Sequence, residues 1–290
     1  MVDHPAHRQI GIIGTGRVAQ ALALALCPHS AAPPLIWGRS ANHLHAALER
    51  IGMGNQAADL ASLAAACDVI AIAVTDDALD TVIADLARIT PFAHAPLVFH
   101  VSGGSGVACL APLAARGAIT AAIHPAMTFT GDPFAEGQRM IGARFAITGA
   151  SAQADQRATA LVRLLGGVPV AIAEQHRPLY HAALCHGANH LVTLLAGSMQ
   201  ALHAAGVDDP AGLMAPLVRA ALDNSLAQGF AALSGPLLRG DGMTIRRHLA
   251  AIDRDCAPLG PAYRAMALAT LDELARTGRP SDLAQELIHD

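Results

Sequence analysis

The chain has no lysine: all nineteen of its basic residues are arginine. Chemistry that requires a Schiff base or an ammonium proton donor is therefore excluded. Aromatic residues are also scarce, at 3%, and the net charge is −4 with no basic block. Nucleic-acid binding needs a basic face, often with stacking rings, and is not expected. The five cysteines (Cys27, Cys67, Cys109, Cys185, Cys256) are scattered without Cys-x-x-Cys spacing. Neither a zinc site nor a disulfide framework is indicated, and reduced, mostly buried thiols are expected. Hydrophobic residues reach 53%, yet no apolar run approaches the roughly 18 uninterrupted residues of a membrane span. Residues 1–9 carry Asp3, Arg8 and two histidines rather than the apolar stretch of a signal peptide, so a cytoplasmic location is expected.

The 290 residues suffice for one large domain or two ordinary ones. Short β-rich runs at 9–13, 35–37, 69–74, 97–101, 119–123, 144–148 and 168–172 alternate with helical patterns at 18–26, 41–51, 59–66, 76–89 and 152–165. A further helix is expected after Gly104. This alternation predicts an α/β fold with a doubly wound parallel sheet. After Ile172 the strand signals stop. Alanine- and leucine-rich helical stretches follow, broken at Asp208-Asp209-Pro210, Ser234-Gly235-Pro236, Arg239-Gly240-Asp241-Gly242 and Leu259-Gly260-Pro261. We expect a Rossmann domain over 1–173 and an all-helical domain over 174–290, opened by a long helix near Glu174. No internal repeat is evident.

Gly14-Thr15-Gly16-Arg17-Val18-Ala19 fits Gly-x-Gly-x-x-Ala, directly after a strand and at the opening of a helix. Gly14 allows the tight turn, Gly16 lets the backbone approach a pyrophosphate, and Ala19 permits close helix–strand packing. The phosphates would meet free N–H groups at the helix start. The second strand ends at Trp37-Gly38-Arg39-Ser40, with no acidic residue to bond a ribose hydroxyl. Arg39, supported by Ser40, suits a 2′-phosphate, so NADP(H) is the expected cofactor. Val74-Thr75-Asp76 and Val101-Ser102-Gly103 follow later strands and are expected to border the nicotinamide. The cofactor candidates are thus Gly14, Thr15, Gly16, Arg17, Val18, Arg39, Ser40, Val74, Thr75, Asp76, Ser102 and Gly103.

Two constellations suggest acid–base chemistry. His124-Pro125 ends a strand, and His181, Cys185 and Asn189 recur at four-residue spacing on a predicted helix. Asn189 would bond a carbonyl or imine, and His181 or His124 would supply a proton. Ser102, His124, Asn189 and Arg239 are the candidate substrate contacts. His186 and His190 resemble half a metal site, but no third ligand has suitable spacing, so no metal is expected.

These motifs together resemble the bacterial family in which a Rossmann-like domain precedes domain of unknown function 2520. The resemblance rests on the glycine turn, Gly38-Arg39-Ser40, Val74-Thr75-Asp76-Asp77, His100-Val101-Ser102-Gly103, His124-Pro125 with Thr128-Phe129, and Leu179-Tyr180-His181-Ala182-Ala183. It continues through Asn189, Gly235-Pro236-Leu237-Leu238-Arg239-Gly240-Asp241, Thr244 and His248-Leu249. It implies a fold like that of β-hydroxyacid dehydrogenases, ketopantoate reductases and pyrroline-5-carboxylate reductases, with NADP binding and a homodimer built through the helical domain. In the related hydroxyacid dehydrogenases a lysine four residues before the equivalent asparagine is the acid/base. Here that position is Cys185, so the proton comes from His181, His124 or water, or the reaction is one such as imine reduction.

The leading expectation is an NADP(H)-dependent oxidoreductase acting on a small, carboxylate-bearing carbonyl or imine, such as a ketopantoate-like 2-oxo acid or a cyclic imine. A non-catalytic NADP(H) sensor or scaffold and a deazaflavin-linked NADP oxidoreductase are the alternatives.

Overall fold

A computed structural model describes residues 6–89, 92, 94–284 and 287. The chain divides into two compact units, Met1–Leu184 and Cys185–Asp290.

The first unit begins with strand β1 (Ile10–Ile13), helix α1 (Arg17–Leu26), β2 (Leu35–Trp37), α2 (Ala41–Ile51), β3 (Asn55–Gln56), α3 (Leu60–Ala66), β4 (Val69–Ile72) and α4 (Asp76–Ala87). It continues with β5 (Leu97–His100), α5 (Ala111–Ala114), β6 (Ile119–Pro125), α6 (Pro133–Arg139), β7 (Arg144–Gly149), α7 (Ala152–Leu164), β8 (Val168–Ala171) and α8 (Arg177–Leu184). The strands form one sheet in the order β3-β2-β1-β4-β5-β6-β7-β8. β1 and β4 lie at its centre, and all four residues of each are buried. That is why their sequences read as continuous aliphatic runs rather than alternating ones. Two apolar clusters, one including Ile10, Ile12 and Phe99 and the other Ile13, Ile70 and Val98, flank the sheet.

Three features depart from the sequence reading. First, β6 and β7 pair antiparallel, with Ile123 opposite Ile147, so the sheet is mainly but not wholly parallel. The intervening segment stays at one end of β6: Ala126 donates to the Arg144 carbonyl at 2.9 Å, and α6 packs on α1. A strand that re-enters at the end its neighbour left must run antiparallel. Second, α6 was not anticipated, although Asp132 caps it and Pro133 occupies its first turn, a recognisable start signal. Third, β3 is a two-residue edge strand with both residues exposed, too short to leave a hydrophobic pattern.

The second unit is helical. A π turn (Cys185–Asn189) leads into α9 (His190–Ala204), followed by α10 (Pro210–Gln228), α11 (Pro236–Arg239), α12 (Gly242–Asp255) and α13 (Gly260–Arg276). Its core contains Ile245, Leu249, Ala267, Leu271 and Leu274. The continuous helix expected from residue 174 is a 3-10 turn (Glu174–His176), then α8, then the π turn. A π turn bonds i to i+5, so the four-residue α-helical spacing does not carry through 185–189. No helix among the described residues is long and apolar enough to cross a membrane.

Candidate active site

A pocket of about 580 Å³ opens at the carboxyl ends of β1, β2 and β4. Gly14, Thr15, Gly16, Arg17, Val18, Arg39, Ser40, Val74 and Thr75 all line it, together with Trp37, His43, Val101 and Phe129. Gly14 has φ +131°, and a Cβ there would stand 2.1 Å from the Ala73 carbonyl oxygen. Only glycine permits that approach. A Cβ built on Gly16 meets no atom within 4 Å; glycine here leaves the pocket floor as bare backbone. Helix α1 has no capping side chain at Gly16, whereas Ser40, Asp59, Asp132 and Ser151 cap α2, α3, α6 and α7. The first N–H groups of α1 are thus left for an anion at its positive end.

The pocket rim is held by arginines. Arg17 donates to the Phe129 carbonyl at 3.1 Å, and Arg50 to the Gly131 carbonyl at 3.5 Å. The buried carboxylate of Glu136 accepts from the amides of Thr130 and Gly131. Arg39 is exposed at the mouth. Ser40 Oγ accepts from the His43 amide at 3.3 Å, which leaves its own O–H free to donate. His43, in the first turn of α2, was not singled out from the sequence; its three-residue spacing from Ser40 was the available signal.

Asp76, Ser102 and Gly103 do not line this pocket. Asp76 begins α4. The Ser102 hydroxyl accepts from the Ser105 amide at 3.1 Å, and its carbonyl accepts from Arg177 at 3.4 Å. Ser102 therefore shapes its own loop. The Ser102 amide donates to His100 Nδ1 at 3.2 Å. That places the ring proton on Nε2, which donates to the Gly106 carbonyl at 2.9 Å. His100 thus clamps the loop, and burial lowers its pKa.

A second cluster adjoins this loop. Val101 lines the pocket; Gly103, two residues on, packs against the rings of His124 and His181. A Cβ at Gly103 would lie 2.6 Å from His181 Cδ2 and 2.9 Å from His124 Nε2. His124 Nδ1 is 2.9 Å from the Tyr180 hydroxyl, and the His124 and His181 rings meet edge-on at 5.7 Å. Burial foremost, then the neighbouring His181 and Arg177, pushes His124 down to about 4. Its ring is accordingly neutral at pH 7. Burial raises Tyr180 above the ordinary phenol value, so its hydroxyl keeps its proton.

Arg177 anchors α8 beneath these groups. It is fully buried and donates to Thr148 Oγ1 (2.9 Å), the Ala122 carbonyl (2.7 Å) and the Ala146 carbonyl (3.4 Å). Glu174 accepts from the amides of Val107 and Ala108 at 2.7 and 3.0 Å. Tyr180 and Arg177 had no assigned role in the sequence reading, since neither sits in a spacing that marks chemistry.

Asn189 and Arg239 belong to the second unit. The Asn189 amide lies 4.0 Å from Cys185 Sγ. Arg239 ends α11, exposed, and its charge helps lower Asp241 after the dominant hydrogen bonds from Thr244. No group of three or more His, Cys, Asp or Glu converges as a metal site among the described residues.

Two sequence families match the chain: a Rossmann-like domain over residues 3–125 and domain of unknown function 2520 over residues 143–270. No curated protein matches it in sequence. Among solved structures, it is similar to a Bacteroides fragilis protein provisionally named an NADP oxidoreductase, with 18% identity, TM-score 0.75, and 92% of this chain and 99% of that one covered. It is similar to a reductive aminase from Aspergillus terreus in complex with NADPH and ethyl-5-oxohexanoate, with 20% identity, TM-score 0.70, and 97% and 98% covered. It is also similar to an imine reductase from Myxococcus stipitatus in complex with NADP+, with 17% identity, TM-score 0.68, and 95% and 98% covered. At these identities the likeness establishes the fold.

Proposed function

We propose that the chain, which matches a Rossmann-like domain followed by domain of unknown function 2520, is an NADP(H)-dependent oxidoreductase reducing a small carbonyl or imine that bears a carboxylate. The observation that carries this reading is the pocket at Gly14–Val18, with its uncapped helix start and with Arg39 at its mouth. The backbone amides of Gly16, Arg17 and Val18 would hold the pyrophosphate, and Arg39, Ser40 and His43 the 2′-phosphate. The structural relatives solved with NADPH or NADP+ bound support the same cofactor.

Bound NADPH would supply a hydride. The protein must supply a proton to the oxygen or nitrogen that the hydride leaves electron-rich. Tyr180 is the group we assign to that task. Its hydroxyl is protonated at neutral pH and bonds His124 Nδ1. Neutral His124 can return a proton to the tyrosine oxygen from one ring nitrogen as the other takes one up. His181, packed on His124, completes the wall. Arg177 acts through α8 as a positioning residue. In this reading residues 1–173 bind the nucleotide, and residues 174–290 form the substrate pocket and the dimer, with Asn189 and Arg239 as substrate contacts. The test is NADPH oxidation across 2-oxo acids and cyclic imines. Turnover of at least one class is expected, and a complete absence of turnover with folded, NADPH-binding protein favours a sensor.

The dimer rests on α9 and α10, neither of which buries a residue within one chain. Leu217 and Leu226 are 71% and 79% exposed. On α10, Leu213 and Leu217 lie on one side and Leu222 and Leu226 on the opposite side at helical spacing. A helix apolar on opposing faces belongs in an interior, which a second copy of the chain would supply. Sedimentation is expected to give twice the 29.7 kDa chain mass. A monomer at micromolar concentration contradicts the assignment.

A further inference from the structure

The second unit carries a pair of imidazoles that the proposed reaction does not use. His186 lies in the π turn and His190 opens α9, and both side chains are exposed. Their Nδ1 atoms stand 3.1 Å apart, with the rings at 87° and their centroids 5.2 Å apart. Two neutral imidazoles that meet in this way share one hydrogen, one ring donating and the other accepting. A divalent cation in place of that hydrogen uses both lone pairs at once.

The spacing suits such an ion. Bonds of about 2.0–2.1 Å from each nitrogen, drawn to atoms 3.1 Å apart, enclose roughly 100° at the metal. This lies between the roughly 90° of neighbouring square-planar ligands and the roughly 109° of tetrahedral ones. Imidazole is a borderline ligand suited to copper, nickel and zinc rather than to magnesium or calcium. We propose that His186 and His190 form a two-nitrogen site for a borderline divalent transition metal, with water completing its coordination. Affinity falls from Cu(II) to Ni(II) and Zn(II), the Irving–Williams preference of nitrogen sites.

The absence of a third protein ligand, which set the pair aside in the sequence, does not oppose this site. It makes the site open and exchangeable rather than closed and structural. The pair also brackets most of the π turn, an element that is rare and recurs at functional positions. A metal bridging His186 and His190 would hold the two ends of that turn together and stabilise the folded state by mass action.

Chelator-treated full-length protein, titrated with Cu(II) and followed by calorimetry and electron paramagnetic resonance, tests the site. The first equivalent is expected to show splitting from two nitrogens. Because the chain holds 15 histidines, the His186→Gln and His190→Gln variants and their double variant serve as references. Circular dichroism and sedimentation check that the variants fold and assemble as the wild type does. Each single substitution is expected to weaken binding of the first equivalent at least tenfold, and the double variant to lose the two-nitrogen signal. A loss smaller than tenfold in either single variant, or an unchanged signal in the double variant, overturns the assignment.

Discussion

Replacing Tyr180 with phenylalanine is expected to lower turnover by about 10²–10⁴-fold, the usual contribution of a positioned acid–base group. Nucleotide affinity should stay unchanged, because Tyr180 does not line the nucleotide pocket. The substitution removes one oxygen and preserves the ring that meets His124 edge-on at 5.7 Å, so packing should survive. The kinetic signature separates chemistry from binding. A proton delivered only in the transition state lowers kcat and kcat/KM together, whereas a lost substrate contact raises KM. The assay is NADPH consumption across substrate concentrations from well below KM to saturation, with nucleotide affinity measured in parallel. Near-normal turnover in Tyr180→Phe would move the proton supply to His181 or to solvent and remove Tyr180 from the mechanism.

Acid should destabilise the fold, and His124 should carry much of the effect. Its folded-state pKa is pushed down to about 4 from 6.5. Between those values the unfolded chain binds a proton that the folded chain refuses, so stability rises with pH across the interval. Above about pH 6.5 the neutral ring costs nothing; as pH falls toward 4 the contribution is lost, by about 3 kcal/mol at 1.36 kcal/mol per pKa unit. Burial also lowers His7, His29 and His100, and these add in the same direction. Urea unfolding at pH 7 and pH 5 should therefore show a marked fall in wild type and a smaller fall in His124→Asn. Equal falls in the two proteins would mean that His124 is protonated as readily when folded as when unfolded.

The parts of the molecule that could be read from sequence share a physical cause. β1 and β4 are buried on both faces, so each is a short aliphatic run that little else explains. Gly14 is dictated by its left-handed backbone and its approach to the Ala73 carbonyl, which admit almost no substitute, and nine of the anticipated cofactor residues line one pocket. Arg39 drew notice because β2 ends without an acid, and it stands at the mouth of that pocket. What escaped reading was decided by long-range packing. Ser102 follows a strand, as a ligand contact would, but the local turn in which its hydroxyl accepts from the Ser105 amide could not be read from the sequence. Tyr180 gains meaning only when β6 brings His124 to it from 56 residues away. Arg177, an ordinary arginine in the sequence, becomes a buried clamp because β6 and β7 present carbonyls to it. The antiparallel return at β7 depended on α6 docking against α1, which no local pattern announces. The π turn interrupts a stretch whose composition is otherwise helical.

Trp37 is the chain's one tryptophan and it lines the pocket, so its emission reports directly on whether the pocket takes a dinucleotide. Titration of NADPH into the full chain is expected to quench that emission with a single saturating transition. NADH should require at least tenfold higher concentration, and Arg39→Asp should abolish that difference by weakening NADPH alone, since the guanidinium's partner is the 2′-phosphate. Emission that stays constant with both reduced nucleotides, on folded protein, would contradict the account at its base.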